Sequence, residues 1–532
     1  MFLLDRDRLR AGGSGAADPE ALIEEARRRT RRRRWQRAIV SGLAVAGAVV
    51  GYALSSGGAT PGVVAETATT PFADLRAFSG RGELAVVSRG AMWVLDGSSL
   101  RRLPVPGRES AQTPVFSRDG RWLAYLTSDS NENGTVSTEL WLARGDGTHA
   151  HRVRGVDVDE LVGWSPTADV LAATAGSRLR PDSGSAERVL LVDPTGAVRT
   201  LVSLAGATAR AGSVWAAVWS PDGREVAVSA VEFGGPANGT TIRAYPIAGG
   251  PATTWFRIRS DQGLPICHDC DGGRGVIADL IGWWPRWGIA FWDYCCGSIH
   301  NLDDTAIVLI ARPGASPYLL PQRTLSGRTT DAIAAGPRGE LALVASTGGR
   351  EIGIGKTVET CNPATRSCTP VPSATVWIGP DHQHCVIPTQ SPGQCLGLTI
   401  APAGRPGSGV SLDPAWSPDG DLLAYVRAPV ALTAGWPDAA WYAAHAIYIW
   451  NARSGATHRI GPIDGASAPT WSADGHDLLF VRGDGLWLAP VGGSAPVEIE
   501  HPLFEPSALS GVSNVVYYGQ IPWNDQFSWW SP

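Results

Sequence analysis

The sequence predicts an all-β fold made by radial repetition of small sheets, and three observations carry that reading. A turn of the form aromatic-Ser-Pro-Asp-Gly keeps returning along the chain. Each good copy leads into a short apolar run, such as Leu423-Ala424-Tyr425-Val426 or Val226-Ala227-Val228. No helix-period segment interrupts these runs, which argues against alternating strand–helix units.

The best copies are Trp219-Ser220-Pro221-Asp222-Gly223, Trp416-Ser417-Pro418-Asp419-Gly420 and Trp471-Ser472-Ala473-Asp474-Gly475. Looser ones are Phe116-Ser117-Arg118-Asp119-Gly120, Trp164-Ser165-Pro166 and Phe78-Ser79-Gly80, and worn ones fall at Trp284-Pro285 and Gly336-Pro337. Ser-Pro-Asp-Gly fits a type I turn, with Ser at the first position, Pro fixing φ at the second and Gly at the fourth. The apolar run after it reads as a buried strand, and the aromatic before it ends the preceding strand. Two further strands follow, as in Ala446-Ile447-Tyr448-Ile449-Trp450 and then Thr457-His458-Arg459-Ile460. Four strands per unit make the blade of a β-propeller. The starts lie 38 to 80 residues apart, so loop insertions vary, and the count is eight blades, or seven if the Gly336 copy belongs to a neighbour.

These turns, with the Leu-Ala-Tyr-Val run and the Ile447-Tyr448-Ile449-Trp450-Asn451-Ala452-Arg453-Ser454-Gly455 strand, resemble the TolB-like, WD-repeat-related β-propeller family. The resemblance covers residues 72–532. It implies the fold, and for function it implies a protein or peptide partner in the cell envelope. The family reuses this scaffold for many binding tasks, so the resemblance is nearly silent on chemistry.

In chain order, residues 1–37 form an Arg-rich segment expected to be cytoplasmic. Asp18-Pro19-Glu20 is a helix start, and Glu24 with Arg28 and Glu25 with Arg29 are helix-supporting pairs. Residues 38–54 carry no charge and are just long enough to cross a bilayer as one helix, which needs about 17–25 residues. Arginines before it and Gly, Ser and Thr after it place the N-terminus inside. A cleaved signal peptide is the rival reading, with an unusually long charged region and no evident cleavage site. Residues 55–71 read as a flexible tether. The expected protein is therefore a single-pass cell-membrane protein with residues 72–532 as an extracytoplasmic propeller.

Charge is sorted accordingly. Residues 1–37 hold 11 Arg and 6 acids, leaving 34 basic and 44 acidic residues beyond them. An acidic outer domain disfavours nucleic acid as its partner. All eight cysteines lie beyond the tether, which points to disulfides. Cys361 with Cys368 and Cys385 with Cys395 are the expected local pairs. Cys267, Cys270, Cys295 and Cys296 remain open in connectivity, with links between the two pairs preferred over a vicinal bridge.

Catalytic and cofactor signals are weak. No Gly-x-Ser-x-Gly elbow and no His-Glu-x-x-His helix occurs. Gly353-x-Gly355-Lys356-Thr357 lacks the first glycine of a phosphate loop and reads as a strand. Asp381-His382-Gln383-His384-Cys385 and Cys267-His268-Asp269-Cys270 hold ligand residue types, but export would oxidise the thiols, so no metal is expected. The acids Asp157 and Asp159 read as a plain acidic turn. Trp287 and Trp292 lie off the repeat and are either a stacking platform for a ligand or core. No catalytic residue and no cofactor is assigned. The expected function is a non-catalytic binding or scaffold module of the envelope. The alternatives are a propeller-type glycan or peptide hydrolase or lyase, for which no pair such as Asp293 with Asp303 or Asp304 can be chosen, or a transmembrane sensor.

Overall fold

The structure, a computed structural model, describes residues 75–532 except 98, 107–108, 131–135, 177–185, 205–211, 233–238, 260–277, 294–304, 325–331, 347–355, 372–408, 430–438, 494 and 502–522. Among the described residues, the strands form eight four-stranded antiparallel blades. Blade 1 holds β1 (Glu83–Ser88), β2 (Ala91–Asp96) and β3 (Ser99–Arg102). Blade 2 holds β4 (Ser110–Phe116), β5 (Trp122–Ser130), β6 (Val136–Arg144) and β7 (His151–Arg152). Blade 3 holds β8 (Glu160–Trp164), β9 (Leu171–Gly176), β10 (Ala186–Val192) and β11 (Val198–Ser203). Blade 4 holds β12 (Gly212–Trp219), β13 (Glu225–Glu232), β14 (Gly239–Pro246) and β15 (Thr253–Arg259).

Blade 5 holds β16 (Ala278–Trp284), β17 (Gly288–Asp293), β18 (Thr305–Ile310) and β19 (Tyr318–Thr324). Blade 6 holds β20 (Ile333–Ala335), β21 (Leu341–Ser346), β22 (Lys356–Asn362) and β23 (Ser367–Pro370). Blade 7 holds β24 (Val410–Trp416), β25 (Leu422–Ala428), β26 (Ala446–Asn451) and β27 (Thr457–Arg459), with the short helix α1 (Ala439–Ala443) before β26. Blade 8 holds β28 (Ala466–Trp471), β29 (Asp477–Arg482), β30 (Gly485–Pro490) and β31 (Val497–Glu500), and β32 (Phe527–Trp530) follows it.

The ring closes through β32, which pairs antiparallel with β1 and sets Trp529 opposite Leu84. That register matches Trp416 opposite Leu423 and Trp471 opposite Leu478, so the C-terminal strand supplies the first strand of blade 1. Closure of this kind removes a free sheet edge. The segment Phe527-Ser528-Trp529-Trp530 reads in sequence as strand material, and in the structure it completes a blade. The Phe78 copy needs correction. Phe78 ends a one-turn 3-10 helix and is fully buried against Trp529, so it packs behind the closing strand without being part of a hairpin. In blade 5 it is Trp283, opposite Ile289, that takes the repeat position expected of Trp284. The turn there is one residue shorter, and Arg286 takes a left-handed φ of 71° to make it.

First strands of neighbouring blades approach each other, as β24 with β28 and β12 with β16, so they line the ring axis. The core lies between the blades. One cluster joins Leu84 and Val86 of blade 1 to Leu479, Val481 and Leu488 of blade 8. Each such side chain taken from water contributes about 1.5–3 kcal/mol.

The Ser-Pro-Asp-Gly turns form as the sequence implies. Ser417 Oγ accepts the Leu422 N–H at 2.9 Å and donates to Asp419 Oδ1 at 2.6 Å. Asp419 Oδ1 also accepts the Asp421 N–H at 3.0 Å, and Gly420 closes the turn at φ 71°. Ser117, Ser220 and Ser472 repeat the arrangement. No helix among the described residues is long and apolar enough to cross a membrane, and residues 38–54 lie outside them.

Candidate functional site

Alternation of strand direction sorts every connection onto one of two faces. The turns joining first to second and third to fourth strands lie on one face. Connections from second to third strand, and from each blade to the next, leave from the other. The first face is built of tight turns, such as 117–121, 193–197 and 472–476. The second carries the long connections 260–277, 294–304, 372–408, 430–438 and 502–522. A binding surface made of connecting segments on a rigid ring therefore has one face to occupy. Cys267, Cys270, Cys295, Cys296, Cys385 and Cys395 all fall in these connections, outside the described residues. Cys361 and Cys368 are bonded to each other, facing across β22 and β23 on the tight-turn face.

At the connection-face end of the axis, the first strands are bulged just before a proline. Thr113, Asp413 and Ala468 take φ of 53°, 48° and 53° ahead of Pro114, Pro414 and Pro469. These strained bulges link blades: Thr113 Oγ1 donates to Asp525 Oδ1 at 2.9 Å, and the Ala468 N–H donates to Asp413 Oδ2 at 3.3 Å. The carboxylates here serve as inter-blade acceptors. No group of acids, histidines and cysteines suited to a metal ion occurs among the described residues.

A second feature, which the sequence did not announce, sits between blades 7 and 8. His445 Nδ1 lies 2.8 Å from Ser467 Oγ, under Trp441 and Tyr442. This resembles the start of a nucleophile–base pair, but its chemistry fails that role. Burial drives the His445 pKa down to about 3, and its Nε2 has no hydrogen-bond partner. A base of that strength is poorly matched to proton abstraction near neutrality, and Ser467 is itself buried. The pair is an inter-blade strut.

Two carboxyls flank blade 1. Burial pushes Glu500 up to about 8, assisted by Asp484 and Glu498, while the Ser88 hydroxyl and Arg89 oppose the shift. Burial likewise raises Glu83 to about 7, with Asp96 and Asp146 adding to it. Periodicity gave no hint of either, because each occupies an ordinary strand end.

The remaining residues singled out from sequence fall in the core. Trp287 is fully buried and donates from Nε1 to the Gly339 carbonyl at 2.6 Å. Trp292 is 1% exposed and donates to Thr324 Oγ1 at 2.8 Å. Neither offers a ring face to a ligand, so packing accounts for both and the platform reading is corrected. Lys356, the only lysine in the sequence, opens β22 and is fully buried. Asp293 ends β17, while Asp303 and Asp304 lie outside the described residues, as do His268, His382 and His384.

No protein-family model and no curated protein matches the chain. Solved structures do match. TolB from Acinetobacter baumannii is 15% identical over 54% of this chain and 62% of its own, with a TM-score of 0.31. Porphyromonas gingivalis dipeptidyl peptidase 4 is 10% identical over 80% of this chain and 60% of its own, with a TM-score of 0.48. Oligogalacturonate lyase from Vibrio parahaemolyticus is 10% identical over 73% of this chain and 95% of its own, with a TM-score of 0.40. The likeness is to β-propeller proteins of differing function, and it extends to fold alone.

Proposed function

We propose that this chain is a TolB-like propeller held at the outer side of a membrane by residues 38–54. In this reading it works as a non-catalytic binding or scaffold module of the cell envelope. The observation that carries it is the sorting of connections: the long ones all leave one face, and the other face is closed by tight turns. That asymmetry suits a ring that offers one surface to a protein or peptide partner. The carboxylates near the axis support the same reading, because Asp413 on β24 and Asp525 just before β32 are engaged in holding blades together.

The test uses the full-length chain, cross-linked in envelope extract and captured, beside turnover assays on envelope glycans and peptides. The expected result is a stoichiometric partner with cross-links on the connection face and no turnover. Steady turnover that disappears in Asp413→Asn, or in Asp279→Asn on the first strand of blade 5, would establish a propeller hydrolase or lyase instead. Cross-links confined to the tight-turn face would overturn the assignment of the face.

A further inference from the structure

Blade 1 is the one blade assembled from both ends of the described chain, and each of its two seams contains a carboxyl group with no partner of opposite charge in contact among the described residues. In the seam with blade 2, Glu83 stands opposite Asp96 on β2 and Trp530 on β32. Its Oε2 is buried without a hydrogen bond and points at Gly145, where an added Cβ would lie 2.1 Å away. Asp146 faces it from the β6–β7 turn, with Arg101 and His149 on that aspartate's own side, and Arg101 donates to the Asp146 carbonyl at 3.3 Å.

In the seam with blade 8, Glu500 ends β31 with no exposed surface, and among the described residues its oxygens meet no donor in good geometry, the nearby Ser88 hydroxyl giving at most a weak hydrogen bond. Ser88 and Arg89 face it from the end of β1 and the turn after it. Asp484 faces it from the β29–β30 turn and Glu498 from its own strand. His501 beside it is taken up by that same pair, at 3.2 Å from Asp484 and 3.6 Å from Glu498. A buried acid at Glu500 and a half-buried one at Glu83, each surrounded mainly by other acids, are accommodated in the neutral form, since burying an unpaired carboxylate is costly.

We propose that closure of the ring is proton-gated: Glu83 and Glu500 are protonated while blade 1 is docked, and their ionisation loosens β32 and β1 from the neighbouring blades. Each carboxyl releases its proton to water as its seam opens, so the docked state holds more protons than the open one. The stabilisation is then fully present below the ordinary carboxylate range. It is lost as pH rises toward the docked-state values of about 7 for Glu83 and about 8 for Glu500, and is flat beyond them. Loosening at Glu500 would fall on the connection face, where β31 ends, and loosening at Glu83 on the tight-turn face, where β1 begins beside the β6–β7 turn.

The experiment is hydrogen exchange of the full-length chain in detergent from pH 5 to 9, corrected for the intrinsic exchange rate. Protection of β32 and β1 is expected to fall about 10-fold per pH unit up to about 8 through Glu500, with a smaller part from half-exposed Glu83. Peptides from blades 3 to 7 should show no matching slope. Glu500→Gln should remove most of the slope while leaving the His501 pair in place, and adding Glu83→Gln should remove the rest. Protection of β32 that stays flat across this range, a slope shared equally by all blades, or a slope kept in the double variant would each overturn the proposal. The wild-type profile alone decides the matter should the variants fail to fold.

Discussion

The indole of Trp530 lies flat against Gly120, so close that a Cβ on Gly120 would sit 2.2 Å from the ring. Trp530 Nε1 also donates to the Arg118 carbonyl at 3.0 Å in the same turn. The glycine of blade 2's turn thus has two duties: it supplies φ of 70°, and it leaves room for the closing strand of blade 1.

These duties separate by substitution. Gly475 occupies the equivalent turn of blade 8 at φ 74°, and its added Cβ would meet nothing nearer than Pro418 at 3.7 Å. Gly475→Ala should cost about 1 kcal/mol for backbone conformation alone. Gly120→Ala adds overpacking and should cost about 2–4 kcal/mol in all. Denaturant unfolding with tryptophan fluorescence measures both, and equal losses would show that Trp530 moves aside freely.

The repeat tryptophans of blades 3, 4 and 8 tie those blades to the one before. Trp471 Nε1 donates to the Ala415 carbonyl at 2.9 Å, Trp219 to Gly163 at 2.8 Å and Trp164 to Val115 at 3.0 Å. In each case the acceptor is the residue just before the preceding blade's own aromatic. Trp416 breaks the series: its Nε1 is buried without a partner. Trp471→Phe should therefore cost about 1 kcal/mol more than Trp416→Phe, since only the first loses a hydrogen bond. A comparison of the two midpoints checks the difference, and a larger loss at Trp416 would contradict it.

These two relationships mark how far the sequence could be read. The turn chemistry is local, so Trp416-Ser417-Pro418-Asp419-Gly420 announces its own conformation, and counting such turns and their strands narrowed the ring to seven or eight blades, of which the structure has eight. The closing strand was visible as strand material, but its partner was not, because the Trp529–Leu84 pairing spans nearly the whole described chain. Phe78 misled for the same reason: it resembles a repeat residue locally, while Trp529 takes the position through a distant contact. Trp287 and Trp292 read equally as core or platform, since an aromatic residue looks the same in sequence whether its ring is covered or open. Glu83, Glu500 and His445 left no signal at all, because what sets them apart is burial in seams between blades.

The turn serines carry a third prediction. Ser417 is buried, and its hydroxyl satisfies the Leu422 N–H, so Ser417→Ala should cost about 1–3 kcal/mol. The hydroxyls of Ser220, Ser417 and Ser472 also hold Asp222, Asp419 and Asp474 below the usual carboxylate range. A depressed folded-state pKa gives stability that is present above the unfolded value and lost as pH falls through the folded one. Acid should therefore weaken the turn face below about pH 4, at the end of the scale opposite to the loosening expected of blade 1. Circular dichroism at pH 2 to 6 measures it, and a Ser417→Ala chain with a smaller acid dependence than wild type is the expected companion result.

Topology supplies the last prediction. On the proposed topology, in which residues 38–54 cross the membrane behind the arginines, the whole ring would lie outside and residues 1–37 inside. Protease added to intact cells should then degrade the propeller and spare the Arg-rich segment. The same location requires an oxidising compartment, so the Cys361–Cys368 bond should be present in protein taken directly from cells, as shown by peptide mapping without reductant. Mapping would at the same time report on Cys385 with Cys395 and on the linkage of Cys267, Cys270, Cys295 and Cys296. A ring protected until lysis, with Cys361 and Cys368 as free thiols, would place the propeller inside. The two readouts are independent, since protease access depends on the membrane and the bond on the redox state of the compartment. Protection combined with an intact bond would instead indicate an enclosed oxidising space, such as one behind a second membrane.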